Sequence, residues 1–446
     1  MPTRRALLGT LSVLGFTGCS LPSRGGDAPA SPPRGTATPP PGTRYWYTHP
    51  RPTGNRTLPG VGDVRDADAV TFEPAGQPQW LVAHPADAGS HWTVVSADGR
   101  ASRWRVGGGE AVRVGRYERL PARTQPVVAT DGDERWTDSG GDGTTASDGA
   151  PRLLRPPGDM AERTSPMVAP AEDGSPVLLY VAVDGDLVVA GTERTRLDVD
   201  GLPDGRLAAL GDGRYALFAD PSGRYTHGAL GDTTEGVTLA VVDPRRATVD
   251  WRATVGPPAV FEGLQPLVAD LNGDGAPEIV ATVADASDGA RIAVFSGDGE
   301  RIATGPVYGP GWRHQLAVAP FGPDGRPELA VVRKPHVDHV LEFYRLESGT
   351  LDIEATVEGF STHTYGSRIL DGAVAADLDA DGRVEALVPT ADRDALEAVR
   401  RSAGGADAVW RKSPDGAVRT NVTGVSLPDA IAVGAGTDET VTVWQG

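Results

Sequence analysis

The 446 residues carry 60 acidic against 42 basic side chains, a net charge of -18, and their only lysines are Lys334 and Lys412. That balance argues against a nucleic-acid partner. The chain is long enough to bury a core as one repeat fold or two to three ordinary domains, and its single cysteine, Cys19, excludes an intrachain disulfide. Stability beyond the core must therefore come from packing, bound ions or closure of a repeat.

The first element is an export signal over residues 1–19. Thr3-Arg-Arg-Ala-Leu-Leu opens an apolar run that ends near Phe16, too short to span a bilayer. Arg4 and Arg5 resemble a twin-arginine signal, and Phe16-Thr-Gly-Cys19 is similar to a lipoprotein cleavage box. Cleavage before Cys19 and lipidation of its thiol would hold the protein on the extracellular face of the cytoplasmic membrane, touching lipid through the anchor only. Residues 20–43, rich in Pro, Ser and Gly, cannot bury enough apolar area to offset chain entropy and read as a disordered tether.

Residues 44–446 form a single all-β domain. After Tyr45-Trp-Tyr47 come short apolar runs separated by Gly, Asp and Pro, with no sustained helical period. Related segments start near Ala69, Pro126, Pro166, Arg206, Pro266, Gln315 and Ala373, with a weaker one near Asp429, at spacings of about 40 to 60 residues, the size of a four-stranded propeller blade. Outer strands entering tight turns are expected at Trp92–Arg100, Thr238–Asp243 and Ile292–Glu300. The tail offers only Ile431–Val433 and Val441–Trp444 as evident strands, so a segment following Tyr45 should complete the last blade. Eight blades closed in this way, with seven as the alternative, would leave no exposed sheet edge.

Within this domain, Asp270, Asn272 and Asp274 place oxygen side chains at alternate positions, followed by Gly275 and by Glu278, a spacing that wraps a chain around a hard cation. A helix-flanked EF-hand is excluded, because its twelfth position falls at Ala281 inside a strand-like run. Asp377, Asp379, Asp381, Gly382 and Glu385 repeat the register. These units resemble FG-GAP or VCBS repeats, the blades of integrin-α-like propellers. The resemblance implies two Ca2+ sites: one from Asp270, Asn272, Asp274, the carbonyl of Ala276 and Glu278, the other from Asp377, Asp379, Asp381, the carbonyl of Arg383 and Glu385. The family often has Asp where this chain has Glu278 and Glu385. Four carboxylates against three predict tighter binding at the second site. Pro320–Glu328, Ala171–Pro176 and Asp131–Glu134 read as degenerate loops without metal.

Low Lys with abundant Asp, Ala, Gly and Thr resembles the composition of haloarchaeal proteins. Asn55-Arg-Thr57 and Asn421-Val-Thr423 are sequons for N-glycosylation. His336 and His339, spaced to opposite faces of a strand, predict no shared metal. Neither a Gly-x-Ser-x-Gly elbow nor a His-Glu-x-x-His pair occurs, so no catalytic residue is assigned. The expected function is a monomeric, lipid-anchored binding module for a protein or polysaccharide at the cell surface. The alternatives are a polysaccharide lyase-like or quinoprotein-like enzyme, the latter faintly suggested by Val249–Arg252 and Val409–Lys412, and a purely structural envelope component.

Overall fold

A computed structural model describes residues 45–130 and 151–446. The export signal, Cys19, the tether and Asp131–Glu134 lie outside the described residues. Within them every regular element is a strand and there is no helix. Short apolar runs extend because their branched and aromatic side chains pack on a pleated surface. Glycines at positive φ, such as Gly99 and Gly299, turn the chain back between them.

Eight antiparallel units follow in chain order, beginning at the inner strands Pro78–Pro85, Val128–Ala129, Met167–Pro170, Ala208–Ala209, Leu267–Ala269, Arg313–Ala319, Val374–Asp377 and Thr423–Ser426. Most hold four strands, each hydrogen-bonded to the next in sequence. The fourth and fifth are joined into one nine-stranded sheet by the short strand Val260–Phe261. The second is small, pairing Val128–Ala129 with Arg152–Leu153.

Buried side chains tie each unit to the next. Met167 and Leu179 of the third pack in the cluster that holds Leu217 of the fourth, Phe218 packs with Ile279 of the fifth, and Val280 with Leu329 of the sixth. Phe343 continues to Val388 of the seventh, Leu387 to Val433 of the eighth, Val443 to Trp92 of the first, Val95 to Val128 of the second, and Ala129 of the second to Met167 of the third. The sequence of contacts returns to its start, which makes the fold a closed β-propeller. Each such interface removes apolar surface on both sheet faces, the main driving force for a ring without disulfides.

The closing strand is Ala69–Phe72, which pairs antiparallel with Val441–Gln445 as the outermost strand of the eighth unit. The segment near Ala69 is therefore not an inner strand as the repeat alignment had it; the first unit's inner strand begins at Pro78. The inner strand of the eighth unit, Thr423–Ser426, lies ahead of Asp429 and is too small and polar to stand out. Trp92 sits on the second strand of its unit, not an outer one.

The chain between Tyr45 and Val61 runs across the inner strands in turn. Tyr45–Trp46 pairs with Val128–Ala129, and the Tyr47 hydroxyl accepts the Val168 N–H at 3.1 Å. The carbonyls of Pro52 and Thr53 accept from Ala209 and Val268 at 2.8 and 2.9 Å. The Asn55 side chain bonds both backbone groups of Val318, at 2.9 and 3.0 Å. Thr57–Val61 then runs parallel to Val374–Asp377. One segment thus meets the second to seventh inner strands, so it fills the axis of the ring.

Candidate functional site

Both acidic loops are hairpins between the first and second strands of their units. In the fifth unit the loop closes on itself. Asp270 accepts the N–H groups of Gly273, Asp274 and Gly275 at 2.7, 3.1 and 2.9 Å, and Asp274 accepts that of Ala276 at 2.8 Å. The Asn272 amide donates to Asp274 at 3.0 Å and to Glu278 at 2.8 Å. Glu278, buried at the strand start, accepts the Leu271 N–H at 2.7 Å; burial is the main reason its carboxyl is raised. Among the described residues this set does not gather three carboxylates as tightly as the next one does.

In the seventh unit, ligand atoms of Asp377, Asp379 and Glu385 lie within 4.8 Å of one another, and all three residues are buried. Asp377 accepts the Gly382 N–H at 2.9 Å, Asp381 that of Arg383 at 3.0 Å, and Glu385 that of Leu378 at 3.0 Å, repeating the first loop's pattern. The final Glu of each loop thus also ties down the backbone behind the first ligand, a role its spacing alone does not reveal. The oxygens Asp377 Oδ1 and Asp379 Oδ1 have no hydrogen-bond partner. Burial, with smaller contributions from neighbouring carboxylates, raises Asp377 and pushes Glu385 up to about 7.

The second loop also holds a guanidinium that the sequence reading missed. Arg400 reaches Asp379 at 2.6 Å, Asp381 at 2.9 Å and Glu385 at 2.6 Å, and Arg65 lies 3.4 Å from Asp379. Strand register explains its aim: Val399 pairs with Ala386, so the next residue faces Glu385. Arg345 holds the same position in the sixth unit, where Leu329 pairs with Tyr344. There it contacts Asp324 at 3.0 Å and Glu328 at 2.8 Å, while Arg401 takes the other side of Glu328 at 2.8 Å. In the fifth unit Ile279 pairs with Phe295, and the corresponding residue is Ser296. The loop expected to lack metal is thus occupied by arginine, and the two intact loops differ in whether an arginine shares them.

At the axis, Asp371 is fully buried (0% exposed) between Arg56 at 3.1 Å, Arg206 at 2.9 Å and the Thr48 hydroxyl at 2.8 Å. His49 lies 3.8 Å away. Burial alone would raise this carboxyl, but Arg206, His49 and Arg56 outweigh it and hold it well below the usual range. Arg206 and Asp371 each stand just ahead of an inner strand. The only sequence signal for them was their place in the repeat, since no motif contains them.

Beside this core, buried Glu235 and Glu262 face one another electrostatically, and His227 hydrogen-bonds Glu262. Burial raises both carboxyls, Glu235 further because Glu262 is close. His336 is joined to His363 at 2.8 Å and not to His339. The two sequon asparagines are buried: Asn421 bonds Thr48 and Leu81 carbonyls at 2.6 and 2.9 Å, and Asn55 bonds Val318. In the folded chain neither amide is open to a glycan, a correction that follows from burial.

No family model matches the chain, and no curated protein matches it in sequence. Among solved structures it is similar to the quinohemoprotein alcohol dehydrogenase from Comamonas testosteroni, with a TM-score of 0.51 and 10% identity over 88% of this chain and 78% of that one. Chaetomium thermophilum Raptor gives a TM-score of 0.43 at 10% identity, over 86% of this chain and 29% of its own. At such identity the likeness to the dehydrogenase shows a shared propeller fold and nothing of its chemistry.

Proposed function

We propose that the mature protein is an eight-bladed, calcium-binding β-propeller of the FG-GAP/VCBS kind, lipid-anchored through Cys19 outside the cell and acting as a binding module. The observation that carries the calcium reading is the convergence of Asp377, Asp379 and Glu385 within 4.8 Å, with two buried carboxylate oxygens unpartnered. A buried acceptor without a donor is costly, and a hard cation would satisfy both. Charge balance supports it: four loop carboxylates less Arg400 and Arg65 leave a deficit of two, which one Ca2+ would cancel. Asp377, Asp379, Asp381, the Arg383 carbonyl and Glu385 would hold that ion. Asp270, Asn272, Asp274, the Ala276 carbonyl and Glu278 would hold another after the Asn272 amide turns its oxygen inward. Calcium there stiffens a blade hairpin and does no chemistry. Metal content by mass spectrometry and melting temperature with calcium or chelator test this: bound calcium and a lower melting temperature in chelator are expected, and no change in either sinks it.

A second reading, an acid–base enzyme, is favoured by Glu235, Glu262 and His227, since raised carboxyls near an imidazole suit proton transfer. Turnover of an acidic polysaccharide that disappears in Glu262→Gln would support it; no product from a broad polysaccharide panel would remove it.

A further inference from the structure

A cavity of about 280 Å³ opens at the end of the ring where the inner strands begin, lined by Trp80, Arg123, Gln125, Arg163, Ser367 and Arg368 among others. Its residues come from five different units. In a chain of net charge -18, three guanidiniums at one cavity are a local reversal of sign.

Two of the three are partly matched. Arg368 donates to Asp204 at 2.8 Å and to Asp232, and Arg163 stands 3.9 Å from Asp232. Arg123 has no acidic neighbour within ion-pair distance among the described residues, and it holds φ at 71°. A non-glycine residue in that conformation costs energy and is found where surrounding structure or function demands it. Three arginines against Asp204 and Asp232 leave one positive charge unmatched.

The neutral groups are unmatched too. Gln125 is only 2% exposed, yet neither its oxygen nor its nitrogen has a hydrogen-bond partner, and the Trp80 indole N–H is likewise buried without one. Buried polar groups are ordinarily satisfied, so donors and an acceptor left without partners in residues that line a cavity point to a ligand that supplies the missing partners. Hydroxyl groups do both, accepting from the indole and amide N–H groups and donating to the amide oxygen. The volume falls at the lower end of small-molecule pockets.

We propose that this cavity binds an acidic sugar unit, its oxyanion drawn to Arg123 and Arg163 and its hydroxyls bonded to Gln125 and Trp80. The inference rests on reading the protein as a binding module. It uses none of the loop carboxylates, so sugar binding and calcium dependence can fail separately.

The test is calorimetric titration of the mature protein, with calcium present, using glucuronate, glucose and inorganic sulfate. Glucuronate is expected to bind more tightly than glucose. Arg123→Asn keeps a residue that tolerates positive φ while removing the guanidinium, and it should weaken glucuronate about tenfold or more. Gln125→Leu should abolish binding and raise the melting temperature of the free protein, because it removes an unsatisfied amide. Equal affinity for glucose and glucuronate, sulfate binding without glucuronate binding, or unchanged binding in Gln125→Leu would each overturn the proposal.

Discussion

The axis and the rim of this propeller treat buried charge in opposite ways. At the axis Asp371 is surrounded by Arg56, Arg206, Thr48 and His49, all from the chain itself, and its carboxylate is fully answered. At the rim, the 377–385 loop brings carboxylates together and leaves Asp377 Oδ1 and Asp379 Oδ1 open. The axis is locked by internal pairing, whereas the rim loop leaves two carboxylate oxygens without a partner. Arg345 in the sixth unit shows the intermediate outcome, a loop closed by guanidinium. Closure of the ring and loading of its loops should therefore respond to different perturbations.

The largest effect is expected at the axis. Asp371→Asn leaves Arg56 and Arg206 buried without a counter-charge, and breaking a buried pair from one side costs about 3–5 kcal/mol. Chemical denaturation should show that loss equally in calcium and in chelator; a loss confined to chelator would erase the distinction between axis and rim. Acid comes next. Burial lowers His84 and His363 to about 3 from an ordinary value of 6.5. A lowered folded value means that the stability is present above 6.5 and is lost as pH falls toward 3, because only the unfolded chain takes up the proton. By about pH 4.5 each such histidine costs about 3 kcal/mol. The raised carboxyls of Glu235 and Glu262 oppose this trend. Denaturation midpoints across pH should fall on the acid side, with a shallower fall in His363→Gln; an unchanged slope in that variant would assign the acid sensitivity elsewhere.

The rim was the more legible of the two regions. The acidic loops announce themselves because their oxygen side chains lie within a few residues of one another, so Asp270 to Glu278 and Asp377 to Glu385 stand out in register without any structure. Blade strands were visible for the same reason, as runs of apolar residues bounded by Gly and Asp. The axis was not, because Thr48, Arg56, Arg206 and Asp371 are brought together across as many as 323 positions and belong to no local pattern. Arg400 was missed on similar grounds: its aim depends on a third strand's register with the second. The closing strand at Ala69–Phe72 looked like an inner strand because a short apolar run says nothing of which edge it will cover.

Arg400 supplies the next test of the comparison. Arg400→Met leaves Asp379, Asp381 and Glu385 without their shared guanidinium, and in chelator the loss should be about 2 kcal/mol, discounted for the partial exposure of the site. Calcium should restore most of it, since the ion then carries the balance together with Arg65. The reciprocal change, Ser296→Arg, sets a guanidinium opposite Glu278 and should weaken calcium binding at the fifth unit. The contrast fails if Arg400→Met is equally unstable with and without calcium.

The smallest effect isolates backbone from charge. The fourth residue of each loop turns with positive φ, at 79° for Gly273 and 58° for Ala380. Only glycine adopts this region freely, because a Cβ crowds the following carbonyl. A Cβ built at Gly273 would meet only Pro327, 4.0 Å away, so nothing but the backbone opposes a side chain there. Gly273→Ala should therefore destabilise by about 1 kcal/mol, and Ala380→Gly should stabilise by about 0.5–1 kcal/mol. Both shifts, read from denaturant midpoints in chelator, should persist when calcium is added, because the ligand set is untouched. If Ala380→Gly lowers stability instead, the alanine is held by contacts rather than tolerated, and the two loops are less alike than their register suggests.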